Sequence, residues 1–266
     1  MSRVQHLKRN TLKAALLAAA LQTGVLSVAH AQAPAAAAPA PRPTPKAASP
    51  IDLTGVWVAI VNEDWRWRMV TPPHGDYASV PLSPAGKALA DTWTPAMDGS
   101  CKAYGVGGVM RMPTRLKIGW DNDNTLKIET DAGVQTRQLM FTQAPASGPK
   151  TLQGYSVAEW QFPAPLGGGG GGAAPPPRPP GGVLKVVTSN HTAGWLRKNG
   201  VPYSENAKIT EFYDRWPGPD GSEWMSVTTV VDDPANLNQP FYTSSHFRRE
   251  PDASKWRPKP CTPIAN

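Results

Sequence analysis

From Ile51 onward, apolar and polar positions alternate with a period of two over many short runs, the pattern of half-buried β-strands. The clearest case is Lys208 to Asp232. Two runs rich in β-branched and aromatic residues flank Pro217-Gly-Pro-Asp-Gly221, turn chemistry that predicts a hairpin. On its first strand Ile209, Glu211, Tyr213 and Arg215 share one face, and Thr210, Phe212, Asp214 and Trp216 share the other. Neither face is purely apolar, which suits a barrel whose interior holds side chains or one small ligand.

Further strands are expected over Gly55 to Val61, Trp65 to Val70, Arg115 to Trp120, Thr125 to Thr130, Val134 to Thr142, Gly154 to Phe162, Val183 to Ser189 and Phe241 to Arg249. One helix is predicted, with Ser83 as its N-cap, Pro84 at its first position, and Leu82, Leu89 and Trp93 docking on the sheet. The fold class is therefore all-β: an antiparallel closed or nearly closed barrel of about 8–10 strands with one short helix.

Residues 1–31 read as a secretory signal. Arg3, Lys8, Arg9 and Lys13 form a positive start, Ala14 to Val28 an apolar run, and Ala29-His-Ala31 a cleavage site. The apolar run is short for a membrane span, and no later stretch approaches the roughly 20 apolar residues one requires. A periplasmic or secreted protein without a transmembrane segment after signal cleavage is expected. Residues 32–50, almost all alanine and proline, read as a disordered tether, and residues 51–266 as one barrel domain. A Gly/Pro-rich stretch at 167–182 reads as an elaborated loop rather than a boundary, because neither side alone carries enough strands to close a sheet.

Removing the signal changes the charge picture. Four of the 27 basic residues lie there and none of the 20 acidic ones, which leaves 23 against 20. A nearly balanced mature chain speaks against a nucleic-acid partner, which needs a clustered basic footprint. The two cysteines, Cys101 and Cys261, are expected to pair in an oxidising compartment, with two free thiols as the alternative.

Ten tryptophans are unusual for one domain, and two of them sit in Asp64-Trp-Arg-Trp-Arg-Met69. As a strand, that segment places Trp65, Trp67 and Met69 on one face, either as a stacking surface for a flat ligand or as ordinary core. Arg137, Glu159, Glu211 and Thr228 are polar residues on predicted strands. If Arg137 and one glutamate point inward they must pair, since an isolated buried charge costs several kcal/mol. His246 is the candidate histidine for proton transfer, against a structural role. His74, His191 and His246 lack metal-ligand spacing, no G-x-S-x-G elbow is present, and Gly105-Val-Gly-Gly108 lacks the context of a phosphate loop. No metal or other cofactor is expected.

The motifs Asp52-Leu-Thr-Gly-Val-Trp57, Pro81-Leu-Ser-Pro-Ala-Gly86, Gly154-Tyr-Ser-Val-Ala-Glu-Trp160, Leu184-Lys-Val-Val-Thr188, Ile209-Thr-Glu-Phe212 and Val227-Thr-Thr-Val-Val-Asp-Asp-Pro234 occur in this order. Together they resemble a group of secreted bacterial proteins with lipocalin-like, or calycin-like, β-barrels. The resemblance implies that fold and, by analogy alone, small apolar ligands.

The leading expectation is a barrel that binds a small, largely apolar or aromatic molecule. Trp65, Trp67, Tyr155, Trp160 and Tyr213 would stack on it, Arg137 with Glu211 or Glu159 would orient it, and Thr228 would add a polar contact. A lyase, isomerase or hydrolase using Glu211, Glu159 or His246 as acid or base is the competing class. An envelope structural or interaction protein, with the tether as spacer, is the third.

Overall fold

The computed structural model describes residues 42–164 and 181–264. The predicted signal, most of the tether and most of the Gly/Pro-rich loop lie outside the described residues.

Nine strands form the framework: β1 (Gly55–Ile60), β2 (Arg115–Asn122), β3 (Thr125–Thr130), β4 (Thr136–Met140), β5 (Tyr155–Gln161), β6 (Val183–Ser189), β7 (Lys208–Pro217), β8 (Glu223–Asp232) and β9 (Phe241–Glu250). Each pairs with its neighbours in sequence, and β9 returns to β1, so the sheet closes into a barrel. All pairs are antiparallel except β4 with β5, where Leu139 and Met140 lie opposite Ser156 and Val157 in parallel register. An odd number of strands cannot alternate in direction around a closed ring, so the expected purely antiparallel arrangement gives way at one pair. The chain between Met140 and Tyr155 therefore carries it back along the barrel before β5 begins.

The period-two pattern sets the inside. On β7, Ile209, Glu211 and Tyr213 are all fully buried, as the hairpin faces predict. Trp57, Leu116, Ile128, Leu139, Leu184 and Phe247 join Tyr213 in one continuous core, so side chains fill the barrel. Burying one such large apolar side chain contributes about 1.5–3 kcal/mol.

Two segments depart from the pattern. Asp64 to Val70 contains a single helical turn, α1 (Trp65–Arg68), and no strand, entered through Asp64 at φ 53°. Trp65 and Trp67 consequently do not share a face: Trp65 is 63% exposed while Trp67 is half-buried. The predicted helix forms as α2 (Pro84–Ala90), with Ser83 Oγ accepting from the Gly86 amide at 3.0 Å. Its buried face is Gly86 and Ala90, and Leu89 is 52% exposed rather than docked. Gly86 is required there, since a Cβ would lie 2.2 Å from the Asn236 carbonyl oxygen.

Across the interior, Arg137 from β4 reaches Glu211 on β7. Its Nη1 donates to Glu211 Oε1 at 2.9 Å and its Nη2 to Oε2 at 2.5 Å, a two-pronged ion pair, and Nη1 also donates to Tyr213 Oη at 3.3 Å. Burial opposes the guanidinium charge, but Glu211 and then Tyr213 outweigh it and raise the Arg137 pKa above its ordinary value. Burial, reinforced by the Glu211 carboxylate, pushes the Tyr213 phenol up, so it stays neutral. Leaving either charge alone costs more than the pair gains. Glu211→Leu should therefore destabilise the protein by about 3–5 kcal/mol in urea unfolding. The double variant Arg137→Met/Glu211→Leu should lose less than Glu211→Leu alone; an equal or larger loss would contradict this account of the pair.

Candidate functional site

The residues flagged in the sequence do not converge on one site. Arg137, Glu211 and Tyr213 meet inside the barrel, with both Glu211 oxygens engaged by Arg137. Glu159 lies on the outer face, paired with Lys185 Nζ at 2.8 Å. His246 is also outside, its Nδ1 3.2 Å from Glu63 Oε2 and its ring edge-on to Trp216. The Tyr155 hydroxyl donates to the Ala144 carbonyl, and the Trp160 indole N–H to the Pro45 carbonyl, which holds residues 42–50 against the barrel. Thr228 lines an open surface groove with Phe212, Asp214 and Ser226. Trp65 projects from α1, and Trp67 beside it donates its N–H to Asp76. Among the described residues no group of three or more His, Cys, Asp or Glu is placed to hold a metal ion, and no helix is long and apolar enough to cross a membrane.

A different set of residues lines a partly open cavity outside the barrel. Its centre is a short hairpin in which Gly194–Trp195 pairs with Pro202–Tyr203. The Leu196 amide donates to the Val201 carbonyl at 2.7 Å, and the turn is tightened by the Gly200 amide donating to Arg197 at 3.2 Å. Gly200 has φ 83°, and a Cβ there would lie 2.4 Å from the Cβ of Trp93. Glycine thus satisfies the turn and lets Trp93 pack on it. Gly194 similarly admits the Tyr203 hydroxyl, which would lie 2.3 Å from an added Cβ.

Trp93, Trp195, Tyr203, Met97, Leu89 and Ile264 line most of this cavity, with Thr92 and Lys102 supplying polar groups, and its volume is about 170 Å³. Trp93 is 5% exposed, and its indole N–H is buried with no hydrogen-bond partner. A buried unpaired donor costs about 1–3 kcal/mol. The Tyr203 phenol is pushed up by burial and remains protonated.

The sequence carries only a faint trace of this site. Asn199-Gly200 is a hairpin turn signal between the two aromatic residues Trp195 and Tyr203. The flanking strands are two residues each, too short for any periodicity to register.

The disulfide lies beside the cavity, Cys101 next to the lining residue Lys102 and Cys261 three residues before Ile264. Cys101 and Cys261 are bonded across a sequence separation of 160 residues, with Cα atoms 4.9 Å apart. Beside it the Cys101 amide donates to Thr262 at 3.1 Å and the Thr262 amide to Gly99 at 2.8 Å, which sets Ile264 against Trp93 and Trp195. Cys101→Ser/Cys261→Ser should lower unfolding free energy by about 5 kcal/mol in the chain-entropy picture, read from denaturant curves. A loss below about 1 kcal/mol would show that the bond constrains the unfolded chain little. Compared with known proteins, the chain matches no family model and no curated sequence, so its function rests on its own geometry.

Proposed function

We propose that this chain is an exported β-barrel protein that binds a small, largely apolar aromatic molecule in the cavity between α2, the 194–203 hairpin and the disulfide. The barrel interior is packed and serves as the rigid support. The observation that carries the reading is the buried, unpartnered Trp93 N–H at an aromatic-lined cavity of about 170 Å³. An apolar cavity of about 150 Å³ is enough to take a benzene ring. One six-membered ring with a hydroxyl or carbonyl acceptor matches both the volume and the orphan donor. Trp195 and Tyr203 offer faces or edges for the ring, a geometry that adds about 0.5–1.5 kcal/mol beyond burial.

Titration of the mature protein with phenol, toluene and a two-ring analogue, followed by tryptophan fluorescence and thermal shift, tests this. Phenol should bind saturably and more tightly than toluene, and the two-ring compound should be excluded. Trp93→Phe removes the donor and keeps an aromatic ring. It should weaken phenol binding about fivefold, the worth of one net hydrogen bond, and leave toluene nearly unchanged. Absence of saturable binding by any single-ring compound would sink the proposal.

A further inference from the structure

The far side of the same hairpin presents a separate problem, one of charge. The turn α1 and the chain after it bring together four arginines, Arg66, Arg68, Arg111 and Arg197, and three carboxylates, Glu63, Asp64 and Asp76. Each carboxylate is already taken. Glu63 accepts from Arg68 and also faces His246, Asp64 accepts from Arg111 Nη2 at 3.0 Å, and Asp76 accepts from Arg66 Nη2 at 2.8 Å and from the Trp67 N–H at 3.0 Å.

Arg197 is the cation left over. It is 2% exposed, and its Nε, Nη1 and Nη2 are all buried without a hydrogen-bond partner. The Trp67 ring stacks on it, its centroid 4.6 Å from Cζ, and Asp64 and Asp76 act on its charge from nearby without hydrogen-bonding it. Stacking of that kind uses the guanidinium face and leaves the in-plane N–H donors free. Burial, with Arg111 beside it, pulls the Arg197 pKa down to about 10, which still leaves it charged at neutral pH. An unpaired buried charge is a standing cost of several kcal/mol, and a packed fold keeps one where something else supplies the counter-charge. Asn199, fully buried, ties the hairpin tip in place by donating to the Pro73 and Asp76 carbonyls at 3.0 Å each. The ring that covers the guanidinium, Trp67, belongs to a single helical turn whose N-cap makes no side-chain hydrogen bond.

We propose that Arg197, backed by the Trp67 ring, anchors a buried binding site for a small oxyanion, a carboxylate or phosphate group that fits the planar edge of the guanidinium. A fork of parallel N–H donors matches two oxygens of such a group, and the surplus positive charge of the cluster supplies the attraction. The site is independent of the aromatic cavity, because the residues that form it are not those that line the cavity.

The test is calorimetric titration of the mature protein with sodium phosphate and, separately, sodium acetate, holding ionic strength constant with sodium chloride. One-site saturable binding of at least one of them is expected, accompanied by a rise in Tm and a change in tryptophan emission. The relative affinities of the two anions separate a phosphate from a carboxylate ligand. Arg197→Met removes the charge and keeps the length, and should weaken that binding at least about tenfold. Arg197→Lys keeps the charge without the planar fork; it serves if the first variant fails to fold, and should also lose about tenfold. No saturable binding of either anion by the unaltered protein, or an unchanged affinity in the folded variants, would overturn the proposal.

Discussion

A closed ring of nine strands cannot alternate in direction all the way round, and that parity shapes the parts of the molecule outside the barrel as well as the barrel itself. The one parallel step, from β4 to β5, obliges residues 141–154 to return along the barrel. The end of that return does structural work. The Leu152 carbonyl accepts from the Val106 amide, the Gln153 side chain donates to the Tyr104 carbonyl and to Gln135 Oε1, and Thr151 bonds the backbone at Asn190 and Thr192. Those contacts tie the returning segment to the chain that leads into the 194–203 hairpin, at Asn190 and Thr192, and to the turns around Tyr104 and Val106.

Two of the deeply buried arginines, Arg137 and Arg197, show what a partner changes. Arg137 meets a carboxylate with matching geometry, and the resulting pair cross-links β4 to β7 through a mostly apolar core. Arg197 has the same side chain and similar burial, with a ring in place of a carboxylate. In the first case desolvation is outweighed and the charge is held more firmly than in water; in the second it is not, and the pKa falls. Inside the barrel Arg137 leaves only its Nε without a partner, its two Nη groups being held by Glu211, whereas on the hairpin at the edge all three guanidinium nitrogens of Arg197 lack one.

Strand-forming segments were legible because burial on one side writes a period of two into the sequence. The inward set Ile209, Glu211 and Tyr213 follows from alternation, the partnership of Arg137 with a glutamate from charge satisfaction, and the cysteine pair from an even count in an exported chain. The Trp-Arg-Trp-Arg segment alternates as a strand does, yet forms a helical turn because its contacts are tertiary. Arg68 Nε donates at 2.8 Å to the Arg111 carbonyl, Trp67 bonds Asp76, and Asp64 turns the chain with a positive φ, all of which favour a helical turn. Local pattern loses where distant partners decide. The aromatic cavity was illegible on different grounds. Its walls come from α2, a 3₁₀ turn (Pro95–Met97), a two-residue strand pair and the C-terminal segment, pieces that share no period and are joined by a disulfide and close glycine contacts.

Glycine placement gives the hairpin its dual character. Because Gly200 and Gly194 have no side chains, Trp93 and Tyr203 approach its backbone from the cavity side, closer than any Cβ would permit. That tight seating keeps the turn small, with only Arg197, Lys198 and Asn199 between Leu196 and Gly200. In so short a turn the side chains of Arg197 and Asn199 are held by the backbone that packs the aromatic wall, and Asn199 is pinned further by the Pro73 and Asp76 carbonyls. A guanidinium on a long loop would swing to solvent and shed its desolvation cost. Here the backbone holds it under Trp67, so the desolvation cost of the charge is retained in the fold.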